Sequence, residues 1–351
     1  MKIVSSKGVI GKMMKSRMVH AALLIVLAMI VASCGVGQNP SQGNGGKSKG
    51  PTKICMMPKL VGIPYFNAAE KGAKEAAKQL GVQLVYDGPT EAKAALQSQQ
   101  IEQWTQQQCS AITVAANDPN ALAPAMKKAK QAGIATGAWD ADVAKDARDV
   151  FVNQATFDSI GYKLVDIMAE QTGGKGKFMV LTGTLTAPNQ VAWLKAMKER
   201  MKDKYPKMSI ASVQPGEEDL QKGIDLTKNY LQAHPDTAGV FGITSVALPG
   251  AAEAVQQQGR TGKVAVTGLT TPNDMKDYMK AGVVKKFVLW SPIDLGYLAV
   301  YVANAQVKGD MPKSGTFKAG RLGKVKVLSP HEVLLGPPLV FTKDNINKYD
   351  F

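Results

Sequence analysis

Two carboxylates follow a short apolar run at Ile134–Asp142, IATGAWDAD. The run after Gly133 has the length and flanking of a buried strand, and it ends in Trp139, Asp140 and Asp142. In an open parallel sheet, ligands lie outside the carboxyl ends of the strands. Asp140 therefore stands where it can accept from two neighbouring hydroxyls, and an ionised acceptor makes the stronger bond. Trp139 is expected as a wall of that site. Asp142 is either a rim contact or a turn-stabilising side chain. Lys59 follows Pro58 at the end of the first apolar run, again a carboxyl end. Tyr65 and Phe66 lie in the loop-to-helix turn after it, where an aromatic can stack on a ligand ring, although Phe66 also fits the buried stripe of that helix. Asn189 and Gln190 open a later helix, where an amide reads a hydroxyl as donor and acceptor. Asn189 can equally be an N-cap. Trp193 sits off that helix's apolar stripe and Trp290 at a predicted crossing, each either a wall or core. Ser245 and Thr270, with their neighbours Thr244 and Thr271, end two strands, and Ser291 follows a third. Apolar walls with a few convergent polar groups make a small-molecule site. One lysine set against Asp140 suits a small neutral ligand.

Other chemistries lack their residues. His234 and His331 sit beside Pro235 and Pro330, away from any GxSxG serine or cysteine nucleophile. No Cys/His spacing suggests a metal, and Gly183–Thr186 lacks the Gly/Lys pattern that cradles phosphates. A glycosidase needs paired carboxylates across a cleft, whereas Asp140 and Asp142 are two apart on one segment. The sequence reads as a binding protein with no enzymatic activity, no cofactor and no metal.

The elements that must position these residues alternate. Strands at Lys53–Pro58, Val82–Tyr86, Ala111–Ala116, Ile134–Trp139 and Val150–Asn153 are separated by helical periodicity, as in Phe66, Ala69, Ala73, Ala76, Ala77 and Leu80. The glutamines after Thr90 read as a solvated helix face around a stripe of Leu96, Ile101 and Trp104. The alternation restarts at Asp158 and continues to a helix ending near Val307. One helix there, from Asn189, shows a stripe of Val191, Leu194, Met197 and Met201. A strand–helix unit every 25–30 residues, roughly the βαβ period, gives parallel sheets with helices on both faces. Two such series separated by an irregular crossing at Asn153–Thr156 predict two doubly wound α/β domains. Further crossings near Trp290–Asp294 and Val325–Ser329 make a multi-strand hinge, with the ligand in the cleft between the domains. The expected lobes are residues 53–154 plus about 292–325, and 155–291 plus about 326–351.

The first fifty residues read differently. Met1–His20 carries five basic residues and no acid, and Ala21–Ala32 is an apolar run of signal-peptide length. Residues 1–33 are expected to be a signal peptide and 34–52 a flexible tether of Gly, Ser, Asn, Gln and Lys. Val31-Ala32-Ser33-Cys34 resembles a bacterial lipobox, which implies a lipid on Cys34 and attachment to the outer face of the cell membrane. The chain holds 43 basic and 28 acidic residues; without the five in the leader, 38 remain against 28, a net +10. The lysines are scattered over helix faces, as in Lys71/Lys74/Lys78 and Lys127/Lys128/Lys130. No basic block interleaved with aromatics suggests nucleic-acid binding. Cys55 and Cys109 form an even pair in an oxidising compartment. A disulfide between them is one reading, which spacing alone does not establish.

Seven stretches in order resemble the periplasmic-type solute-binding proteins of the ribose-binding fold, in their autoinducer-2 and rhamnose receptor branch. They are Pro58–Gly62, Tyr86–Glu91, Trp139–Asp142, Asn189-Gln190, Ala247–Pro249, Thr271–Asn273 and Lys348–Phe351. The resemblance implies a lipoprotein that passes a small sugar to an ABC permease, a monomer, with Lys59 and Asp140 on the ligand. It also implies departures. Where the autoinducer receptors carry Asp-Gln, this chain has Ala187-Pro188. Where they carry Pro and Ala, it has Ile243 and Ser245, and where they carry a late Asp it has Ser291. These changes favour a sugar of the rhamnose type over autoinducer-2. Partnership with a receptor kinase instead of a permease is the alternative reading.

Overall fold

The computed structural model describes residues 51–351; the expected signal peptide, Cys34 and most of the tether lie outside the described residues. Nine α-helices and fourteen strands are described, arranged as two α/β domains.

The first domain opens with β1 (Lys53–Met57), α1 (Pro64–Leu80), β2 (Gln83–Tyr86), α2 (Ala94–Gln106) and β3 (Ala111–Val114). It continues through α3 (Pro119–Gln131), β4 (Ala135–Trp139) and β5 (Val150–Asn153). These five strands pair in parallel in the order β5-β4-β3-β1-β2. β3 and β5 are buried along their whole length, as strands covered by helices on both faces must be. α2 differs from its expected solvated face. Gln97 is fully buried, and its amide bonds the Pro58 and Ala115 carbonyls and the Asn117 N–H, while Leu96 is exposed. A glutamine here satisfies backbone groups that the ends of β1 and β3 leave unpaired.

The second domain begins with α4 (Phe157–Thr172), β6 (Lys175–Thr182), α5 (Pro188–Lys204), β7 (Lys207–Pro215) and α6 (Leu220–Ala233). It goes on through β8 (Gly239–Gly242), α7 (Ala247–Gln257), β9 (Ala265–Gly268), α8 (Pro272–Lys280) and β10 (Lys286–Leu289). Its parallel sheet runs β7-β6-β8-β9, and a bridge between Leu269 and Val288 sets β10 beside β9. The buried side of α5 is centred on Trp193, Met197 and Met201, and Val191 is exposed. The predicted stripe was rotated because it gave Val191 a core place and left Trp193 out.

The chain then returns. α9 (Pro292–Lys308) lies across α1 in the first domain, backbone against backbone. A Cβ on Gly296 would stand 2.0 Å from the Ala69 carbonyl oxygen, and one on Gly72 1.8 Å from that of Ile293. Only glycine permits this crossing. β11 (Gly315–Lys318), β12 (Lys324–Ser329) and β13 (Glu332–Leu334) extend the first sheet, β13 pairing with β5 in parallel. The last crossing therefore falls after Leu334 and not near Val325–Ser329. Only then does β14 (Leu339–Thr342) pair with β10. The first and last crossings run side by side, Leu335 and Gly336 N–H donating to the Asn153 and Gln154 carbonyls at 2.8 and 3.3 Å. β11 and β14 escaped the sequence pattern because each is four residues long and mostly exposed or half-buried. A disulfide joins Cys55 in β1 to Cys109 before β3, with Cα atoms 6.1 Å apart. Both residues are buried.

Candidate functional site

Strands of both domains end at one cavity. From the first domain it is lined by Lys59, Ile63, Tyr65, Phe66 and Asp140, and from the second by Asn189, Gln190, Trp193 and Glu218. Ile243, Thr244, Ser245, Leu269, Leu289 and Trp290 complete the second wall.

Asp140 follows β4 with φ +61°, in the left-handed region that a short Asx side chain tolerates best. The carboxylate accepts the Tyr65 hydroxyl at 2.7 Å, the Asn189 amide at 3.4 Å and faces Lys59 Nζ at 3.7 Å. Burial pushes its pKa above the usual carboxylate range, against the pull of Lys59 and Tyr65. Burial and the same carboxylate push the Tyr65 hydroxyl well up. The Trp290 indole N–H donates to the Tyr65 oxygen at 2.8 Å, so Tyr65 passes one donor chain from the second domain to Asp140. Lys59 Nζ donates to Asn189 Oδ1 at 2.9 Å across the cleft. Its backbone is held from behind, the Asn117 amide donating to the Lys59 carbonyl at 2.8 Å. A further polar contact between the domains runs from the Thr186 hydroxyl to the Asn117 carbonyl at 3.1 Å.

Gln190 faces both ways. Its carbonyl oxygen accepts from the Thr182 hydroxyl and the Gly183 and Thr184 N–H groups, which shapes the loop before α5. Its amide donates to Glu218 at 3.3 Å. The aliphatic part of the second domain's wall comes from three adjacent strand ends: Ile243 after β8, Leu269 after β9 and Leu289 closing β10.

Of the residues singled out in the sequence, Lys59, Tyr65, Phe66, Asp140, Asn189, Gln190 and Ser245 meet at this cavity. So do Thr244, Trp193 and Trp290. Four do not. Trp139 is wholly buried behind the site, its indole N–H donating to the Met57 carbonyl and its ring edge-on to Phe66 at 5.7 Å. It supports the wall without being one, because β4 turns its side chain into the sheet's own core. Asp142 is gripped by Arg148 through two bonds of 2.7 Å and cannot reach the ligand space. Thr270 donates to the Ser245 carbonyl, and Ser291 caps α9 by accepting from the Asp294 N–H. Both serve local structure.

Glu218 was missed. Glu217-Glu218-Asp219 reads as the acidic start of a helix, and Asp219 is indeed the N-cap of α6. The signal that could have found Glu218 is its place after the carboxyl end of β7, where ligand groups gather.

A polar, partly charged cavity between two α/β domains joined by three crossings defines a cleft-binding receptor. The chain belongs to the periplasmic binding protein domain family, whose family model matches residues 54–311. The ribose import binding protein RbsB of Salmonella typhimurium is 26% identical over 263 residues, 73% of this chain and 85% of its own length. An ABC transporter solute-binding protein from Clostridium phytofermentans, solved with bound L-rhamnose, is 32% identical with a TM-score of 0.81. That match covers 86% of this chain and 98% of the other. LsrB from Clostridium saccharobutylicum, solved in complex with AI-2, is 29% identical with a TM-score of 0.82, covering 85% of this chain and all of the other at 100%. Among the described residues, no helix is long and apolar enough to cross a membrane.

Proposed function

We propose that this protein is an extracytoplasmic lipoprotein that captures a small sugar in its interdomain cleft and delivers it to an ABC permease. The observation that carries the reading is the cross-cleft cluster of Lys59, Asp140 and Asn189 beside an aliphatic corner. The cluster suits ring hydroxyls, and Ile243, Leu269 and Leu289 suit a methyl group. A 6-deoxyhexose of the L-rhamnose type presents both. The family match and the relatives named for ribose, and solved with L-rhamnose, support a sugar. The likeness to the AI-2 complex makes autoinducer-2 the second reading, to be titrated alongside. Attachment through Cys34 rests on the sequence, and radiolabelled palmitate incorporation that Cys34→Ser abolishes tests it.

Calorimetric titration tests the ligand. L-Rhamnose is expected to bind roughly tenfold or more tightly than L-mannose, which would bury one unpaired hydroxyl in the aliphatic corner. Asp140→Ala is expected to keep the circular-dichroism spectrum and to lose sugar binding. Sugar binding that survives this change, or equal affinity for the two hexoses, would remove the basis of the reading.

A further inference from the structure

We propose that Glu218 is a second ligand-binding carboxylate, taking hydroxyl hydrogens from the second domain as Asp140 does from the first, with the Trp193 indole N–H donating to a ligand oxygen. This rests on the sugar-capture reading and narrows the ligand to a sugar with free hydroxyls on the edges facing both domains.

The backbone is bent to bring Glu218 in. Glu217 and Glu218 both have φ +56°, a left-handed conformation in two successive side-chain-bearing residues, and such strain collects at functional sites. The turn separates the pair. Glu217 points to solvent and pairs with Lys222 at 2.7 Å, whereas Glu218 lines the cavity. Gly183 makes the room: a Cβ there would lie 2.1 Å from Glu218 Oε1. The Thr244 hydroxyl donates to Oε2 at 2.8 Å and the Gln190 amide to Oε1 at 3.3 Å. A carboxylate offers about four acceptor positions, so those two donors leave others for the cavity. The cation that acts on it, Lys59, is already bonded to Asn189 and paired with Asp140. A carboxylate in a cleft without its own cation needs further donors, and sugar hydroxyls are donors of the right kind. Trp193 supplies the complementary observation. Its indole nitrogen is buried in the cavity wall without a hydrogen-bond partner.

The test is calorimetric titration of the full chain with L-rhamnose, L-fucose, D-ribose, D-allose and D-arabinose, and with monodeoxy forms of whichever bind. Glu218→Gln is expected to weaken the bound sugar about ten- to a hundredfold. At one hydroxyl, the deoxy penalty of the wild type should shrink in Glu218→Gln. Trp193→Phe should weaken the same sugar several-fold. Gly183→Ala, which pushes a methyl against Oε1, is a second variant and should weaken it too. If a sugar binds the wild type and Glu218→Gln and Gly183→Ala both bind it within twofold, with unchanged deoxy profiles, the proposal is overturned and sugar capture stands. If none of the sugars binds the wild type, the sugar reading falls and this proposal with it.

Discussion

Lys59→Met removes one charge and almost no volume. Lys59 and Asp140 are 4% and 3% exposed, so solvent does not screen the pair. Breaking a buried pair by removing one partner costs about 3–5 kcal/mol, because the other charge is left uncompensated. Here the stranded charge is Asp140, which would keep the Tyr65 hydroxyl and a longer bond to Asn189. For a chain of this size the loss corresponds to a melting-point drop on the order of 5–10 °C. The sign of its pH dependence follows from the carboxylate. Burial already raises the Asp140 pKa and Lys59 pulls it down, so without Lys59 it rises further. Above that raised pKa the folded variant carries the full penalty. As pH falls through it, Asp140 takes a proton and the penalty fades. Scanning calorimetry at pH 8 and pH 5 therefore finds a large deficit at the first and a smaller one at the second. Lys59→Met/Asp140→Asn should melt above Lys59→Met alone, because the stranded charge has gone. A deficit of the same size at both pH values, or singles that add in the double variant, would refute the pairing.

Three further outcomes follow from packing and charge. Cys55→Ser/Cys109→Ser opens a loop spanning 54 residues and should cost about 4 kcal/mol by loop-closure entropy, read by urea denaturation. Gly296→Ala drives a methyl into the Ala69 carbonyl at the α1–α9 crossing; it should destabilise by at least about 1–3 kcal/mol, whereas Gly259→Ala, which has open space around it, pays only for its backbone. Burial raises the Glu218 pKa above the usual range, so the folded state holds that proton more tightly than the unfolded one. This contribution lowers stability as pH rises through the window between the two values. Glu218→Gln should therefore raise the melting point most at pH 8, with the gain vanishing near pH 4, where an ordinary carboxyl is protonated in both states.

Local pattern determined much of this protein. The five strands from Lys53 to Asn153, the helices between them and the restart at Asp158 were legible because a parallel strand buried on both faces must be apolar and a covering helix must be striped. Asp140, Lys59 and Asn189 were legible as cleft residues because they follow carboxyl ends of strands or open a helix after one. Tertiary structure decided what no window contains. Whether Trp139 faces ligand or core depends on how β4 packs against Phe66, and whether Asp142 is free depends on Arg148. β13 joins the first sheet because β5 offers it an edge more than 170 residues earlier in the chain. Glu218 enters the site through two left-handed residues and the missing side chain of Gly183. A local reading sees only three acids at the start of a helix, because the charge balance of the cleft is set where two domains meet.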